Sequence, residues 1–169
     1  MRLRQEEEGD GAAVETLYDL AFGPGRRALS SYRLRRGPPV RGCGHVVDAG
    51  EAAAGLAGAI RAWPVAVGGA PALLVGPVAV HPAHQGEGWG GALMAAALGA
   101  AAAGWRRALL VGDAPYYARF GFAPLAGVLM PPPTDPARVL GLALAPGAWE
   151  GVAGPVLPAP LASGCADTI

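Results

Sequence analysis

The sequence predicts an α/β fold with a mixed β-sheet. Segments of strand length alternate with helical segments, and the hairpins are concentrated in the first half of the chain. Residues 72–81 (ALLVGPVAVH) are apolar at almost every position, which is typical of a strand buried on both faces of a sheet. A chain of 169 residues can bury a sizeable core in one domain. We place that domain at residues 1–158 and a flexible tail at residues 159–169.

The N-terminal part of the chain predicts an edge strand followed by two helices. Residues 2–6 fit a short edge strand, and Asp10 is suited to cap the helix that follows. Apolar residues recur at helical spacing over residues 12–22, which form the first predicted helix. The arginine-rich residues 23–37 (GPGRRALSSYRLRRG) predict a turn and then a second, basic helix.

The residues that follow predict strands joined by tight turns. Residues 46–47 precede a turn at residues 48–50, and residues 54–66 complete a hairpin. A pair of glycines at residues 68–69 then turns the chain into the apolar strand at residues 72–81.

Strands and helices also alternate in the second half of the chain. Residues 107–112 (RALLVG) predict another buried strand, and the segment APYYARFGF predicts a short helix that ends at Gly121. After a proline-rich connection, two last strands are predicted at residues 138–144 and 152–157.

The composition excludes several classes of partner. Basic and acidic residues both number 13, and a formal net charge of zero gives no support for nucleic acid or an anionic membrane surface. The longest apolar run, residues 92–105, is shorter than the roughly 20 residues of a membrane-spanning helix. The N-terminus lacks the apolar stretch of a signal peptide, so we expect a cytoplasmic protein. Cys43 and Cys165 are too few and too far apart to predict a metal site.

A glycine-rich segment joins the strand at residues 72–81 to the next helix. Its residues are Gln85, Gly86, Glu87, Gly88, Trp89, Gly90 and Gly91. Glycines allow the backbone to approach a ligand closely, and the free N–H groups at the start of a helix suit a phosphate or diphosphate. The alternative is that this segment forms only a tight turn.

Two phosphate-binding patterns fit the segment poorly. A P-loop needs a lysine after the glycines, and the chain contains no lysine. Gly86, Gly88 and Gly91 match the dinucleotide pattern G-x-G-x-x-G, and Asp113 ends the next strand. The glycines follow a loop in mid-chain, however, and the residues after Asp113 are too few and too rich in proline for a second βαβ half. A nicotinamide-nucleotide-binding protein therefore stays a less favoured alternative.

A third pattern carries a family resemblance. Gln85, Gly88 and Gly90 match Q/R-x-x-G-x-G/A, and Tyr117, Gly121 and Phe122 match a Y-x-x-x-G-F segment just after the following strand. With both motifs at this distance, the chain resembles the GNAT superfamily of N-acetyltransferases. It is similar to the small bacterial YhbS-type acetyltransferases within it, in five stretches: residues 21–26, 60–65, 73–94, 110–122 and 146–156.

The resemblance implies a mostly antiparallel sheet with helices on both faces. Its two central parallel strands, residues 72–81 and 107–112, would splay apart, and the pantetheine arm of acetyl-CoA would enter the gap. Pro77 supports a splay or bulge independently, because proline cannot donate to a sheet ladder. Backbone groups of three residues would hold the arm: Val78, Ala79 and Val80.

The resemblance also implies the reaction and further cofactor contacts. Acetyl-CoA would donate its acetyl group to an amine by direct attack through a tetrahedral intermediate, and Tyr117 would protonate the departing sulfur as general acid. The alternative is that Tyr117 only packs against or hydrogen-bonds the cofactor. Asp113, Tyr117 and Phe120 would lie at the cofactor together with the glycine-rich segment.

The sequence names no general base. Many GNAT enzymes carry a carboxylate on or beside the cofactor strand, but residues 72–81 contain none. We interpret His81 as structural, Glu87 as pointing to solvent and Asp113 as the cap of the short helix after it. The amine would then lose its proton to water. The missing carboxylate leaves a non-catalytic acyl-CoA-binding or sensing module as an alternative function.

The acceptor amine is expected beneath the N-terminal helices, on the far side of the splay. Five arginines crowd that region around Tyr32: Arg26, Arg27, Arg33, Arg35 and Arg36. They form either a basic rim for an acidic acceptor or, as we favour, a solvated face paired with residues 6–8. The acceptor is a small-molecule or peptide amine of unknown identity, and exposed late strands could pair between chains in a homodimer.

Overall fold

The computed structural model describes residues 1–50 and 55–159 and contains three α-helices in these ranges. The helices are α1 (Gly11–Phe22), α2 (Trp89–Ala101) and α3 (Ala114–Tyr117). The strands are β1 (Arg2–Gln5), β2 (His45–Asp48), β3 (Leu56–Val67), β4 (Ala70–Val80), β5 (Arg107–Val111), β6 (Ala123–Pro124), β7 (Val128–Leu129), β8 (Val139–Ala143) and β9 (Gly154–Pro158). The expected tail lies outside the described residues, apart from Ala159.

The sheet has the order β1-β2-β3-β4-β5-β8-β6. All neighbours along this path are antiparallel except β4 and β5, which are parallel. Strand β9 adds antiparallel to β3 and forms a short parallel pair with β7. The mixed, mostly antiparallel sheet is confirmed. It does not fit the nicotinamide alternative, because a doubly wound dinucleotide fold needs a run of adjacent parallel strands.

Helices α1 and α2 cover opposite faces of the sheet. Val46 packs in a core cluster with the apolar residues of α1, and its neighbour Val47 packs in another with Leu93 and Met94 of α2. Successive side chains of a strand point to opposite faces, so the two helices lie on either side, as expected. No helix within the described ranges combines the length and the apolar character needed to cross a bilayer.

Strands β4 and β5 separate soon after they meet. They pair only at Leu73 with Ala108 and at Leu74 with Leu109, although β4 continues to Val80. Between these pairs and the end of β4, its register with β3 shifts by one residue, with Gly76 and Pro77 as the extra length. The predicted splay and the predicted bulge at the proline are therefore both present.

Asp10 does not cap α1, which corrects the prediction. Asp10 itself has helical torsion angles, because a short 3₁₀ turn at Glu8–Asp10 leads directly into α1. Its carboxylate instead accepts hydrogen bonds from the guanidinium of Arg4 at 2.6 and 2.8 Å and from the backbone N–H of Glu7 at 2.7 Å.

The basic helix predicted within residues 23–37 is absent from the structure. Two 3₁₀ segments, Pro24–Ala28 and Ser30–Leu34, occupy this part of the chain instead. Leu29 between them is extended, with ψ of 142°, so neither segment can continue into an α-helix. Both segments pack over the point where β4 and β5 separate.

The turn between β3 and β4 provides a test of the fold. A Cβ atom at Gly68, whose φ is +54°, would lie 1.9 Å from the carbonyl oxygen of Ala153, whereas a Cβ at Gly69 would meet nothing within 4 Å. Because the obstacle is backbone, we expect Gly68→Ala to lower the free energy of unfolding by at least about 3 kcal/mol. At Gly69 only the positive φ of +87° disfavours alanine, so Gly69→Ala should lower the free energy of unfolding by about 1 kcal/mol. Urea unfolding of both variants measures the difference, and equal losses would contradict this packing.

Candidate active site

The separated ends of β4 and β5 form two walls of a cavity of about 170 Å³. The bulge residues Gly76 and Pro77 lie on one wall, and Leu110 and Val111 of β5 lie on the other. Residues of α1, α2 and the two 3₁₀ segments complete the lining, among them Phe22, Arg26, Tyr32, Arg35 and Met94. The splay thus creates a cleft, open on one side, in the middle of the sheet.

Tyr18 of α1 fixes the bulge from behind. Its hydroxyl donates a hydrogen bond of 3.0 Å to the carbonyl oxygen of Pro77, and the side chain is 1% exposed. Burial raises the pKa of Tyr18 well above its ordinary value, so the hydroxyl remains a donor at all physiological pH values. This bond ties the N-terminal helix to the turn of backbone that opens the cavity.

The backbone of Val78, Ala79 and Val80 lies beyond the last residues at which β4 and β5 pair. On one side these three residues pair with Ile60, Ala59 and Gly58 of β3. On the side of β5 they have no strand partner within the described ranges, so a ligand of strand-like width could use this edge.

Tyr117 projects from α3 into the same cavity. Its ring packs so closely on Gly112 that a Cβ atom there would lie 2.2 Å from the ring carbon Cε2. Burial, and next the neighbouring Tyr116, raise the pKa of Tyr117, so its hydroxyl is protonated at neutral pH. The arrangement places a proton donor at the wall formed by the end of β5.

Two other predicted cofactor residues flank α3. Phe120 is partly buried and packs against the rings of Tyr116 and Tyr117, with centroid distances of 6.0 and 6.3 Å. Asp113 is exposed and makes no side-chain hydrogen bond to the helix, so its predicted capping role is wrong. Pro115 removes one of the N–H groups that a cap could use, and the N–H of Tyr116 already donates to the backbone oxygen of Asp113 at 3.1 Å.

The glycine-rich segment brings free amides to the end of β4. Gly86 and Gly88 have φ values of +83° and +88°, which only glycine adopts readily. Helix α2 begins at Trp89, earlier than predicted, so Gly90 and Gly91 belong to its first turn. No side chain caps this end of α2, and the first N–H groups of a helix have no intrahelical acceptor.

Contacts around Gly90 join the segment to the cavity walls. A Cβ atom at this position would lie 3.3 Å from the hydroxyl of Tyr116 and 3.8 Å from Val80. The start of α2 therefore touches both the end of β4 and helix α3. Gln85 reaches back to the same strand, with its side-chain amide 3.4 Å from the carbonyl oxygen of Val80.

The polar side chains of the segment satisfy one another. Glu87 is exposed and accepts a hydrogen bond of 3.0 Å from the indole N–H of Trp89, and its other carboxylate oxygen lies 3.3 Å from His84. His81 accepts a hydrogen bond from the N–H of Ala83 and begins a 3₁₀ turn, in agreement with a structural role. Neither Glu87 nor His81 lines the cavity.

The comparisons with known proteins agree with this geometry. The sequence of residues 41–124 matches the acetyltransferase (GNAT) domain family. The fold matches the crystal structure of the GNAT family N-acetyltransferase YhbS from Escherichia coli in complex with CoA. That match has a TM-score of 0.78 and 25% sequence identity and covers 94% of this chain and 89% of that chain. The chain carries a GNAT acetyltransferase domain.

A second solved structure is also similar to this GNAT domain. A GNAT family acetyltransferase from Brucella melitensis, crystallised in complex with acetyl-CoA, is 29% identical in sequence, with a TM-score of 0.64. The match covers 94% of this chain and 95% of that chain. No curated protein matches the chain in sequence.

The N-terminal arginines of the GNAT domain do not form one solvated face. Arg26 is 1% exposed and pairs with Glu15 and Asp19, at 2.5 and 2.7 Å. Arg35 is partly buried, and both Arg26 and Arg35 line the cavity. The exposed members of the group are Arg27, Arg33 and Arg36.

The acidic residues at the N-terminus have other partners than predicted. Glu6 binds the guanidinium of Arg61 on β3, with a shortest distance of 2.5 Å. Glu8 lies 3.7 Å from Arg41, and both side chains are exposed. Glu6 and Glu8 thus face arginines distant in sequence, so the favoured pairing of residues 6–8 with the arginine cluster is wrong.

Sequence reasoning missed the role of Tyr18 in the site and the inward position of Arg26 and Arg35. Tyr18 was recognised only as part of the apolar stripe of the first helix. A hydroxyl on such a stripe usually finds a hydrogen-bond partner when it is buried, and this signal could have marked Tyr18. No sequence pattern distinguishes Arg26 and Arg35, which face the cavity, from their exposed neighbours Arg27 and Arg36.

The bond between Tyr18 and Pro77 is testable by removing one hydroxyl. We expect Tyr18→Phe to lower the free energy of unfolding by about 1–2 kcal/mol, because the carbonyl oxygen of Pro77 loses a buried donor. Tyr116→Phe removes a hydroxyl from an exposed ring and should change stability by less than about 0.5 kcal/mol. Chemical denaturation compares the two variants, and a Tyr18→Phe protein as stable as the parent would show that the bond contributes nothing.

Proposed function

We propose that the protein is an acetyl-CoA-dependent N-acetyltransferase that acts on a primary amine. The observation that carries this proposal is the gap between β4 and β5, with Tyr117 on its wall and the uncapped start of α2 at its end. The GNAT proteins from E. coli and B. melitensis that share this fold bind CoA and acetyl-CoA, respectively. The same donor is the natural candidate for this chain.

The diphosphate of acetyl-CoA would bind at the first turn of α2. The backbone N–H groups of Trp89, Gly90 and Gly91 are donors without intrahelical acceptors, and the positive end of the helix dipole favours an anion there. Gly88 has its φ of +88° directly before the helix, and no atom comes within 4 Å of its Cβ position. The open surface leaves room for a diphosphate to approach the backbone.

The pantetheine arm would lie in the gap, along the free edge of β4. The amide groups of the arm donate and accept hydrogen bonds as peptide groups do, so they can pair with the backbone of Val78, Ala79 or Val80. The acetyl thioester would then lie in the cavity, between the bulge at Pro77 and the ring of Tyr117. Backbone N–H groups near the bulge are suited to stabilise negative charge on the thioester oxygen.

We assign the general acid to Tyr117. The amine nitrogen attacks the thioester carbonyl carbon and forms a tetrahedral intermediate, from which the carbon–sulfur bond breaks. The sulfur takes the hydroxyl proton of Tyr117, the nitrogen releases a proton to water to give the neutral amide, and the phenol recovers a proton from solvent. Its raised pKa keeps the donor protonated before each turnover.

The proton of the amine would leave through water. Among the described residues that line the cavity there is no carboxylate and no imidazole. The amine therefore has to attack in its neutral form after deprotonation by solvent. This proposal keeps the expectation that no single side chain acts as general base.

Cofactor binding tests the first part of the proposal. Isothermal titration should give binding of acetyl-CoA and no binding of NADH. Gly88→Val should weaken acetyl-CoA binding at least about tenfold, because a β-branched residue cannot hold the φ of +88° and its side chain fills the approach to the helix. Gly99→Val on the same helix is exposed and contacts nothing within 4 Å, so it should bind like the parent. Binding of NADH alone, or unchanged affinity of folded Gly88→Val, would contradict the proposal.

Removal of the proposed acid tests the second part. Tyr117→Phe should reduce the release of CoA thiol in an amine panel by about 100-fold, since general acid catalysis contributes at least that factor. Its affinity for acetyl-CoA should stay within about twofold, because only the hydroxyl is removed. Full turnover by Tyr117→Phe would refute the assignment. Tight acetyl-CoA binding by the parent without turnover of any amine would instead favour a non-catalytic acyl-CoA-binding module.

A further inference from the structure

Arg35 lines the cavity and has no ion-pair partner among the residues that the structure describes. Its guanidinium stacks between two aromatic rings, 4.5 Å from the centroid of Tyr32 and 5.6 Å from that of Trp63. Its Nε is buried and has no hydrogen-bond partner among the residues that the structure describes. Desolvation lowers the pKa of Arg35 to about 10, yet the group is still charged at neutral pH. The aromatic rings contact the guanidinium but offer it no hydrogen-bond acceptor, so its Nε is left unpaired in the described part of the chain.

A second guanidinium lies across the same aromatic ring. Arg26 is within 5.4 Å of the centroid of Tyr32, and like Arg35 it lines the cavity. Glu15 and Asp19 engage its Nη2 and Nε, whereas its Nη1 is buried without a partner in the described part of the chain. Two unsatisfied buried donors therefore belong to arginines that both contact the ring of Tyr32.

The charge of the cavity is unbalanced. Its charged lining residues within the described ranges are Arg26 and Arg35, and no acidic side chain faces them from inside. Glu15 and Asp19 form direct ion pairs with Arg26 from outside the cavity, whereas no described acidic residue pairs directly with Arg35. Buried charges without a partner are unfavourable, and a bound anion would remove the cost.

We propose that Arg35 binds a carboxylate of the acceptor, with Nη1 of Arg26 as a further donor, so that the substrate is a small amine that carries a carboxylate. A guanidinium edge matches a planar carboxylate with two parallel hydrogen bonds. The cavity of about 170 Å³ is lined by these arginines and by Tyr117 and Pro77, so a compact molecule such as an amino acid could reach both ends. This inference rests on the proposed acetyl transfer at the same site.

Matched acceptors test the inference directly. Thiol release from acetyl-CoA is measured with L-amino acids and with the corresponding amino acid amides, which keep the amine but lose the carboxylate. The parent should prefer the acid over its amide by at least about tenfold in kcat/KM, as expected for charged hydrogen bonds. Arg35→Gln should lose this preference, with the ratio of kcat/KM for acid over amide falling to about one. Arg35→Lys, which keeps the charge but not the fork, should retain part of it.

Arg33→Gln is the matched control. It removes an exposed arginine from the same part of the chain and should leave the preference for acids unchanged. The inference is overturned if the parent uses amides as well as acids, if Arg35→Gln still prefers acids, or if only amines without a carboxylate are acetylated. It is also overturned if acetyl-CoA binds but amino acids are not acetylated and do not raise the Tm of the protein.

Thermal stability separates this inference from the proposed function. Arg35→Met removes an unpaired buried charge and should raise the Tm of the free protein by roughly 2–4 °C. Amino acids should raise the Tm of the parent but not of Arg35→Met. If acetyl-CoA does not bind, the proposed function fails. The carboxylate site is then tested only by whether amino acids raise the Tm of the parent and not that of Arg35→Met. A lower Tm for Arg35→Met would show that Arg35 has a stabilising partner and would contradict the site.

Discussion

The site depends on the early separation of two parallel strands. After Leu74 and Leu109 the ladder between β4 and β5 stops, but neither strand loses its other neighbour. Strand β4 keeps its antiparallel pairing with β3 up to Val80, and β5 pairs with β8 along its whole length. The gap thus has firm walls, and the backbone groups that face it remain accessible to a ligand. Pro77 fits this position because a residue without an N–H group removes no ladder bond at a bulge.

A network of ion pairs fixes the N-terminal elements over this gap. Glu15 of α1 binds Arg61 of β3 and Arg26 of the first 3₁₀ segment, and Glu6 holds Arg61 from β1's side of the sheet. Arg61 of β3 lies opposite the bulge of β4 in the pairing of these two strands. The ion-pair network therefore lies next to the gap. The network offsets the charge of Arg26 but, over residues 1–50 and 55–159, includes no ion pair to Arg35. A fold tuned only for stability would not keep such a charge in a cavity, whereas a binding site often accepts this cost.

The sequence allowed prediction of those features that are coded locally. The apolar run of β4, the proline that requires a bulge and the glycine after α3 each leave a signal within a few residues, and all three are present. The two capping predictions failed because other groups in the fold take up the hydrogen bonds that a cap would make. Asp10 was a good cap by residue type, but Arg4 and the N–H of Glu7 claim its carboxylate. The side chain of Asp113 does not cap α3, because Pro115 lacks the backbone N–H that a cap would bind. The two-residue strands β6 and β7 are too short to leave a periodic pattern.

The absence of a carboxylate from the described cavity lining and the presence there of Arg35 have one electrostatic explanation. A carboxylate placed in the cavity to accept the amine proton would lie close to Arg35 and would pair with it. Such a pair would satisfy the buried charge, but it would also block the donor edge that a substrate carboxylate needs and lower the basicity of the carboxylate. A site of this size can therefore supply either an internal base or an open arginine. Proton donation by Tyr117 is compatible with the second arrangement, because a neutral phenol does not compete for the guanidinium.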